Sequence, residues 1–561
     1  MKLDVAYRGR SGVEGSGSSA AVQFAPNLRR PEVFFEAELL DPIRFREAVS
    51  ALHEVVVGDL RFKRGDKAAY LEWKKQEEER EKARVEAVYQ QAKANELARI
   101  GHKPMPPNLE RDFAQMHRIY WTARRRWANE LATNDPEMFR HLVPCDPIVT
   151  VAPDVLLFEC FAKDESSYGC LTIDRNSFRG AERAALGTTN VDYSLALFEQ
   201  FQTLRSYRAT RFAVDPRGFE VNVEGTAGYR EEKIDLPPSW LRGFGQLQAA
   251  TTLPYYRVTV PVEAMYSILA YLKRHREKSG PRSLRFVLTP GAEHRVVLEP
   301  WGVTIACRGT KYQGDRPAEI NVWGRRRLLT LARLLPLADR IDVALLGSGL
   351  PSIWCVSMGN MQFTLALSGW TANDWTSGTN VDLLSGTYEA APAAINSVAQ
   401  WMQQTRSATL AQIAAATQLE SRDAASALYA LAKRGHAMYD FARDVYRYRE
   451  AMPFAITDEV VGSDSPELIA ARELHASHRV TILRTGSIAA ARTLYVAKAD
   501  KTSCEAILDP DGRFVRAKCT CSHFHKYRMR SGPCRHLLAL RMQTQETLKD
   551  ESFARSLMMK F

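Results

Sequence analysis

Residues 511–541 read DGRFVRAKCTCSHFHKYRMRSGPCRHLLALR, and the spacing of four side chains here decides how this part of the chain folds. The piece FVRAKCTC has the character of an extended strand, in which residues i and i+2 project to the same face. Cys519 and Cys521 therefore aim both sulfurs at one point. Twelve residues lie between Cys521 and Cys534, and Gly532-Pro533 comes just before an apolar run, LLALRMQ, of helical character. A Gly-Pro step ahead of a helix start suits Cys534 and His536 turning back onto the first pair. Three thiolates and one imidazole close a tetrahedral shell, with Zn–S near about 2.3 Å and Zn–N near about 2.0 Å. No position is left for water, so one structural Zn2+ per chain is expected and not a catalytic one. Its binding, roughly 10–16 kcal/mol in small zinc modules, couples directly to folding.

Working outward, the strand-like stretches TLYVAKAD and SCEAILD precede this segment. Cys504 is expected to pack in the hairpin they form, and His523 and His525 to be exposed loop residues, because four ligands already complete the shell. The segment is basic, with Arg516, Lys518, Lys526, Arg528, Arg530 and Arg535 interleaved with Tyr527. Phosphate contacts plus an aromatic platform suit DNA or RNA without strong sequence preference. The same cations could equally keep a small zinc unit soluble.

The pattern C-x-C-x(n)-C-x-H is that of SWIM zinc fingers, and the chain matches it at all four ligand positions. SWIM fingers occur in chromatin-remodelling helicases, plant-type transposases, kinases and recombination cofactors, where they are regarded as DNA- or protein-binding modules. The stretches GTTNVDYSLALFEQFQTLRS and LPPSWLRGFGQLQAA extend the likeness, which resembles bacterial stand-alone SWIM zinc-finger proteins over roughly residues 32–60 and 135–561. That resemblance implies a finger placed after an α+β body of no established activity. It also implies a MoxR-type ATPase and a von Willebrand A-domain protein as partners.

A chain of 561 residues is too long for one core. The fold class expected is α+β and multidomain. Residues 1–30, rich in Gly and Ser, read as a flexible N-terminus, and residues 31–64 with 134–390 as an α+β body of alternating apolar runs. Residues 65–133 read as a helical hairpin insertion with a solvated charge run, and 479–545 as the SWIM finger. Residues 391–452 read as a winged helix-turn-helix-like unit: a first helix, a second capped by Ser407, a third capped by Ser421, and a wing around Arg443-Asp444. Leu410, Ile413, Leu428 and Leu431 would be its core. Arg422 and Arg434 on the third helix and Arg443, Arg447 and Arg449 on the wing could touch DNA. The helix is otherwise mostly Ala and Ser and offers few base readers, so a dimer or adaptor surface fits as well.

The net charge of +11 favours acidic partners, nucleic acid first. Nine cysteines in so long a chain do not make a disulfide scaffold, which points to a reducing, cytoplasmic setting. No apolar run approaches about 18 residues, so no membrane partner is expected. No G-x-x-x-x-G-K-[ST], G-x-S-x-G or H-E-x-x-H occurs. Asp154, Asp174 and Asp192 lie near strand ends and keep a metal-dependent nuclease as a remote alternative. The expectation is therefore no enzyme: a zinc-binding module that contacts DNA or RNA, or alternatively a protein–protein adaptor for the ATPase system.

Overall fold

The run VLLFECF is apolar at every position but Glu159, and a strand of that kind must be covered on both faces. The computed structural model shows how. It describes residues 11–58, 147–215, 238–369, 390–450, 466–529 and 533–544, apart from short stretches within those ranges, with isolated positions between 111 and 122 and Trp375. The chain divides into two compact units, residues 1–58 with 145–561, and residues 59–144. The hairpin expected over 65–133 falls in the second, almost wholly outside the described residues.

At the centre of the first unit is an antiparallel eight-stranded sheet. Its spatial order is Tyr256–Thr259, Arg340–Leu345, Ser352–Met358, Met361–Leu367, Ser167–Asp174, Val155–Phe161, Ile148–Val151 and Gly187–Asn190. Every residue of Val155–Phe161 is buried, because alternation sends Leu156, Phe158 and Cys160 into one core and Val155, Leu157 and Phe161 into another. The first core also takes in the helices Pro42–Val57 and Val262–Arg274, a four-stranded sheet built on Leu284–Leu288, and a six-stranded sheet.

The six-stranded sheet corrects the expectation of a flexible N-terminus over residues 1–30. Gly12–Ser16 and Ser19–Phe24 pair as an antiparallel hairpin, and the second strand runs parallel to Ala209–Val214. Gly and Ser content hid the period-2 pattern in SAAVQF, which points Ala20, Val22 and Phe24 inward. Phe24 lies against Phe158, Phe201 and Phe212, with ring centroids 5.1–6.0 Å apart.

The second core joins the other face of the central sheet to the helix Pro238–Thr251 and to residues 392–448. That segment folds as helices Pro392–Thr405, Leu410–Thr417 and Ser421–Lys433 with a small sheet in the order Ser407–Ala408, Val445–Tyr448, Ala437–Asp440. Thr409, not Ser407, caps the second helix, in a capping box with Gln412. Glu420, not Ser421, occupies the cap position of the third. Leu410, Ile413, Leu428 and Leu431 are buried as expected, but they share their core with Phe161, Tyr168 and Phe244 of the body. The helix 238–251 approaches so closely that a Cβ on Gly245 would lie 2.7 Å from the Lys433 carbonyl oxygen.

Residues 466–544 have a third core. The antiparallel sheet Val480–Ile488, Arg492–Ala499, Thr502–Leu508 and Phe514–Cys519 is covered on one face by the helix Pro466–Ala476 and by a helix at residues 535–544. Leu468 and Ala471 belong to this core, so the unit begins ahead of residue 479. No helix among the described residues is long and apolar enough to cross a membrane.

Candidate metal centre and basic surface

Local structure delivers each donor. Cys519 ends the 514–519 strand, opposite Cys504 on its neighbour. Cys521 is the N-cap of a short helix, Ser522–Tyr527, and its sulfur accepts the Phe524 backbone N–H at 3.3 Å. Cys534 and His536 sit at the start of the 535–544 helix. The four donor atoms all lie within 4.8 Å of one another. The Cys519 sulfur is 3.8 Å from His536 Nδ1, near the roughly 3.6 Å edge that tetrahedral Zn–S and Zn–N bonds imply. A hydrogen bond from Cys534 holds the Cys519 thiol far below its usual range, to about 4, while the same contact together with burial pushes Cys534 up. Cys519, Cys521, Cys534 and His536 are placed to bind one metal ion, and three sulfurs with one imidazole fit Zn2+.

The rival ligands stay outside this group. His525 is exposed, and the His523 ring lies tilted against that of Tyr527, 5.0 Å between centroids. Both ride on the 522–527 helix, where the sequence reading expected a loop. The Cys504 sulfur faces the His536 carbonyl at 4.0 Å, and burial pushes its thiol up to about 12. Burial does the same to Cys170, Cys307 and Cys355.

The basic residues divide. Arg516 and Lys518 are exposed on the 514–519 strand, and Lys526, Tyr527 and Arg528 on or just after the short helix. The Lys526 ammonium lies 4.8 Å from the Tyr527 ring centroid, and the Arg528 guanidinium 5.7 Å from that of Phe524. Arg535 instead grips Glu467 of the 466–476 helix, with Nη2 2.6 Å from Oε1. Burial disfavours ionised Glu467, yet this bond and charge outweigh it and hold the carboxyl below its usual range. Arg530 lies outside the described residues.

The arginines expected on a wing turn inward, against the expectation that they reach DNA. Arg447 donates to both oxygens of Asp154, at 2.9 and 2.7 Å, and to Asp440 at 2.7 Å. Arg443 meets Asp174 at 3.0 Å, and Arg449 pairs with Glu159, both fully buried. In the 421–433 helix every residue except Asp423 is buried or half-buried. These contacts also account for two carboxylates of the nuclease alternative, since Asp154 and Asp174 each serve a wing arginine; Asp192 lies outside the described residues. Sequence reasoning missed Glu467, Glu159 and Asp440, because nothing local marks an acid whose partner is distant.

Residues 506–540 match the SWIM zinc finger family, a span that contains all four donors. The chain thus carries a SWIM-type zinc finger within a mixed helix-and-sheet protein. No curated protein matches the chain. Among solved structures, Proliferating Cellular Nuclear Antigen from Entamoeba histolytica is similar over 44% of this chain and 93% of that one, at 11% identity and a TM-score of 0.27.

Proposed function

We propose that this chain is a non-catalytic, zinc-stabilised binding protein whose finger contacts the phosphates of DNA or RNA. The observation that carries the reading is the surface beside the metal centre. Lys526, Tyr527 and Arg528 stand exposed at the end of the helix begun by Cys521, and Arg516 and Lys518 project from the strand ended by Cys519. None of these four cations forms an ion pair among the described residues. Cations beside one aromatic face suit a phosphate backbone with a stacked base better than edge-on base reading. Residues 392–448 have the helix and strand order of a winged helix. We assign them a scaffold role, because their third helix and wing arginines face the body. That inward docking favours the second reading, an adaptor in a cytoplasmic complex, for which a MoxR-type ATPase and a von Willebrand A-domain protein are the partners to try.

The test is fluorescence anisotropy with single-stranded DNA and RNA oligonucleotides at two salt concentrations. Each phosphate contact contributes about −0.7 to the slope of log K against log salt. Lys526→Glu with Arg528→Glu should weaken binding at least about tenfold and flatten that slope by about 1.4. No binding by the unaltered chain at low salt sinks the nucleic-acid reading.

A further inference from the structure

The two faces of the finger sheet are unlike. In antiparallel pairs, residues directly opposite share a face. Ala497, Cys504 and Cys519 make one such row, turned toward the core beneath. The alternate positions turn outward in two rows, Arg484–Val496–Glu505–Lys518 and Leu494–Ile507–Arg516, with Ile488 opposite Arg492. Leu494, Val496 and Ile507 are half-buried and Ile488 is 39% exposed, yet none of the four belongs to a hydrophobic core of the described residues. An antiparallel sheet with one face in water normally carries polar side chains there. Branched aliphatics side by side on three strands, outside every core of the described residues, have the character of a docking surface. Cations border the strip, Arg484 on the first strand, Arg492 at the start of the second and Arg516 and Lys518 on the fourth, and Glu505 is the lone acid of these rows.

We propose that this face docks an acidic amphipathic helix of a partner protein. Three strands spaced about 4.8 Å apart present a strip about 10 Å wide, the width of one helix. The apolar stripe of such a helix lies on Leu494, Val496 and Ile507, and its flanking carboxylates meet the bordering cations. A second copy of this chain would bring like charges together. Nucleic acid fits less well, because faces that bind bases carry aromatic platforms. Here the strip is aliphatic, and Tyr495 belongs to the inward row and packs on the finger core. The proposal does not rest on the nucleic-acid reading: the two share Arg516 and Lys518, but Lys526, Tyr527 and Arg528 stand on or just after the separate helix Ser522–Tyr527.

The full zinc-loaded chain is titrated with a labelled Leu/Glu peptide of about 18 residues, apolar at i, i+3, i+4 and i+7. A scrambled peptide of the same composition and a single-stranded oligonucleotide are run beside it. A photo-crosslinking residue replaces Lys498, which is exposed on the same outward face. The patterned peptide should bind at least about tenfold tighter than the scrambled one and crosslink from position 498. Val496→Glu and Arg484→Glu should each weaken it about tenfold with one zinc per chain retained. Absent binding or equal binding of the two peptides overturns the proposal. So does a crosslink within the chain or between its copies, or a Val496→Glu effect on the oligonucleotide and not on the peptide.

Discussion

Replacing Arg447 with methionine keeps most of the side chain's length and removes its charge. Arg447 is 3% exposed and holds two carboxylates, and their surroundings set the magnitude. The Asp154 side chain is 43% exposed, so losing this partner costs about 0–1 kcal/mol there. The Asp440 side chain is 6% exposed and keeps Arg443 at 3.7 Å and the Ala442 N–H at 3.1 Å. Stranding a buried carboxylate costs about 3–5 kcal/mol, and the remaining arginine puts this case at the low end, about 3 kcal/mol. At about 1.4 kcal/mol per decade, that is roughly a 150-fold rise in local opening. Amide hydrogen exchange over residues 437–448 reads it directly. Protection there should fall by about that factor, while residues 480–544 and zinc content stay unchanged. Adding Asp440→Asn should recover most of the loss, because the stranded charge is then gone. A fall of less than about fivefold, or no recovery in the double variant, refutes the argument. Oligonucleotide affinity should not move, since this arginine faces the body.

Purified protein should contain about one zinc per chain by metal analysis, and Cys534→Ala should lose it and open residues 480–544 to protease; a metal-retaining, protease-resistant variant would overturn the ligand set. Gly245→Ala places a Cβ 2.7 Å from the Lys433 carbonyl, a backbone clash that should cost about 1–3 kcal/mol and lower the urea midpoint. His294 is 1% exposed with neither ring nitrogen hydrogen-bonded among the described residues, and burial holds its pKa below 6.5. The unfolded chain therefore takes up a proton that the folded one refuses, so this contribution is intact above about pH 6.5 and declines as pH falls toward 5. Urea midpoints at pH 7.5 and 5.5 should show that decline, and His294→Leu should reduce it.

What could be read from residues alone followed the range of the interactions. The four donors were legible because alternation on a strand and the start of a helix place them, and both are rules about residues two to four apart. The third helix of residues 392–448 and the strand pair expected around Arg443-Asp444 were legible on the same ground, and the cap was misplaced by two residues because Ser407 and Thr409 are both good caps. Gln412, three residues beyond Thr409, was the signal that separates them. The helix at 466–476 went unseen because its apolar residues are sparse, and Glu467 went with it. Nothing near Arg443, Arg447 or Arg449 shows that their partners are Asp174, Asp154 and Glu159, more than 260 residues earlier. The order of the eight-stranded sheet was beyond reach for the same reason.

Long-range pairing also changes what the net charge of +11 means. A count of cations treats each as available, yet Arg325, Arg447 and Arg449 are at most 3% exposed. Arg325 reaches the carbonyls of Ser283 and Glu299, and the other two tie residues 392–449 to the central sheet and the turn before Val155. Arg535 is spent on Glu467. The cations beside the metal site that form no ion pair among the described residues are attached to the donor elements themselves. Arg516 and Lys518 lie on the strand that Cys519 ends, and Lys526 and Arg528 lie at and just after the end of the helix that Cys521 caps. Metal binding would therefore govern cation presentation as well: an ion held by Cys519, Cys521, Cys534 and His536 would fix the strand end and the helix start, and the cations would follow. The finger core is separate from the two body cores and meets the second through Met529. Removing zinc should thus erase the basic surface while hydrogen exchange in the central sheet stays as it was.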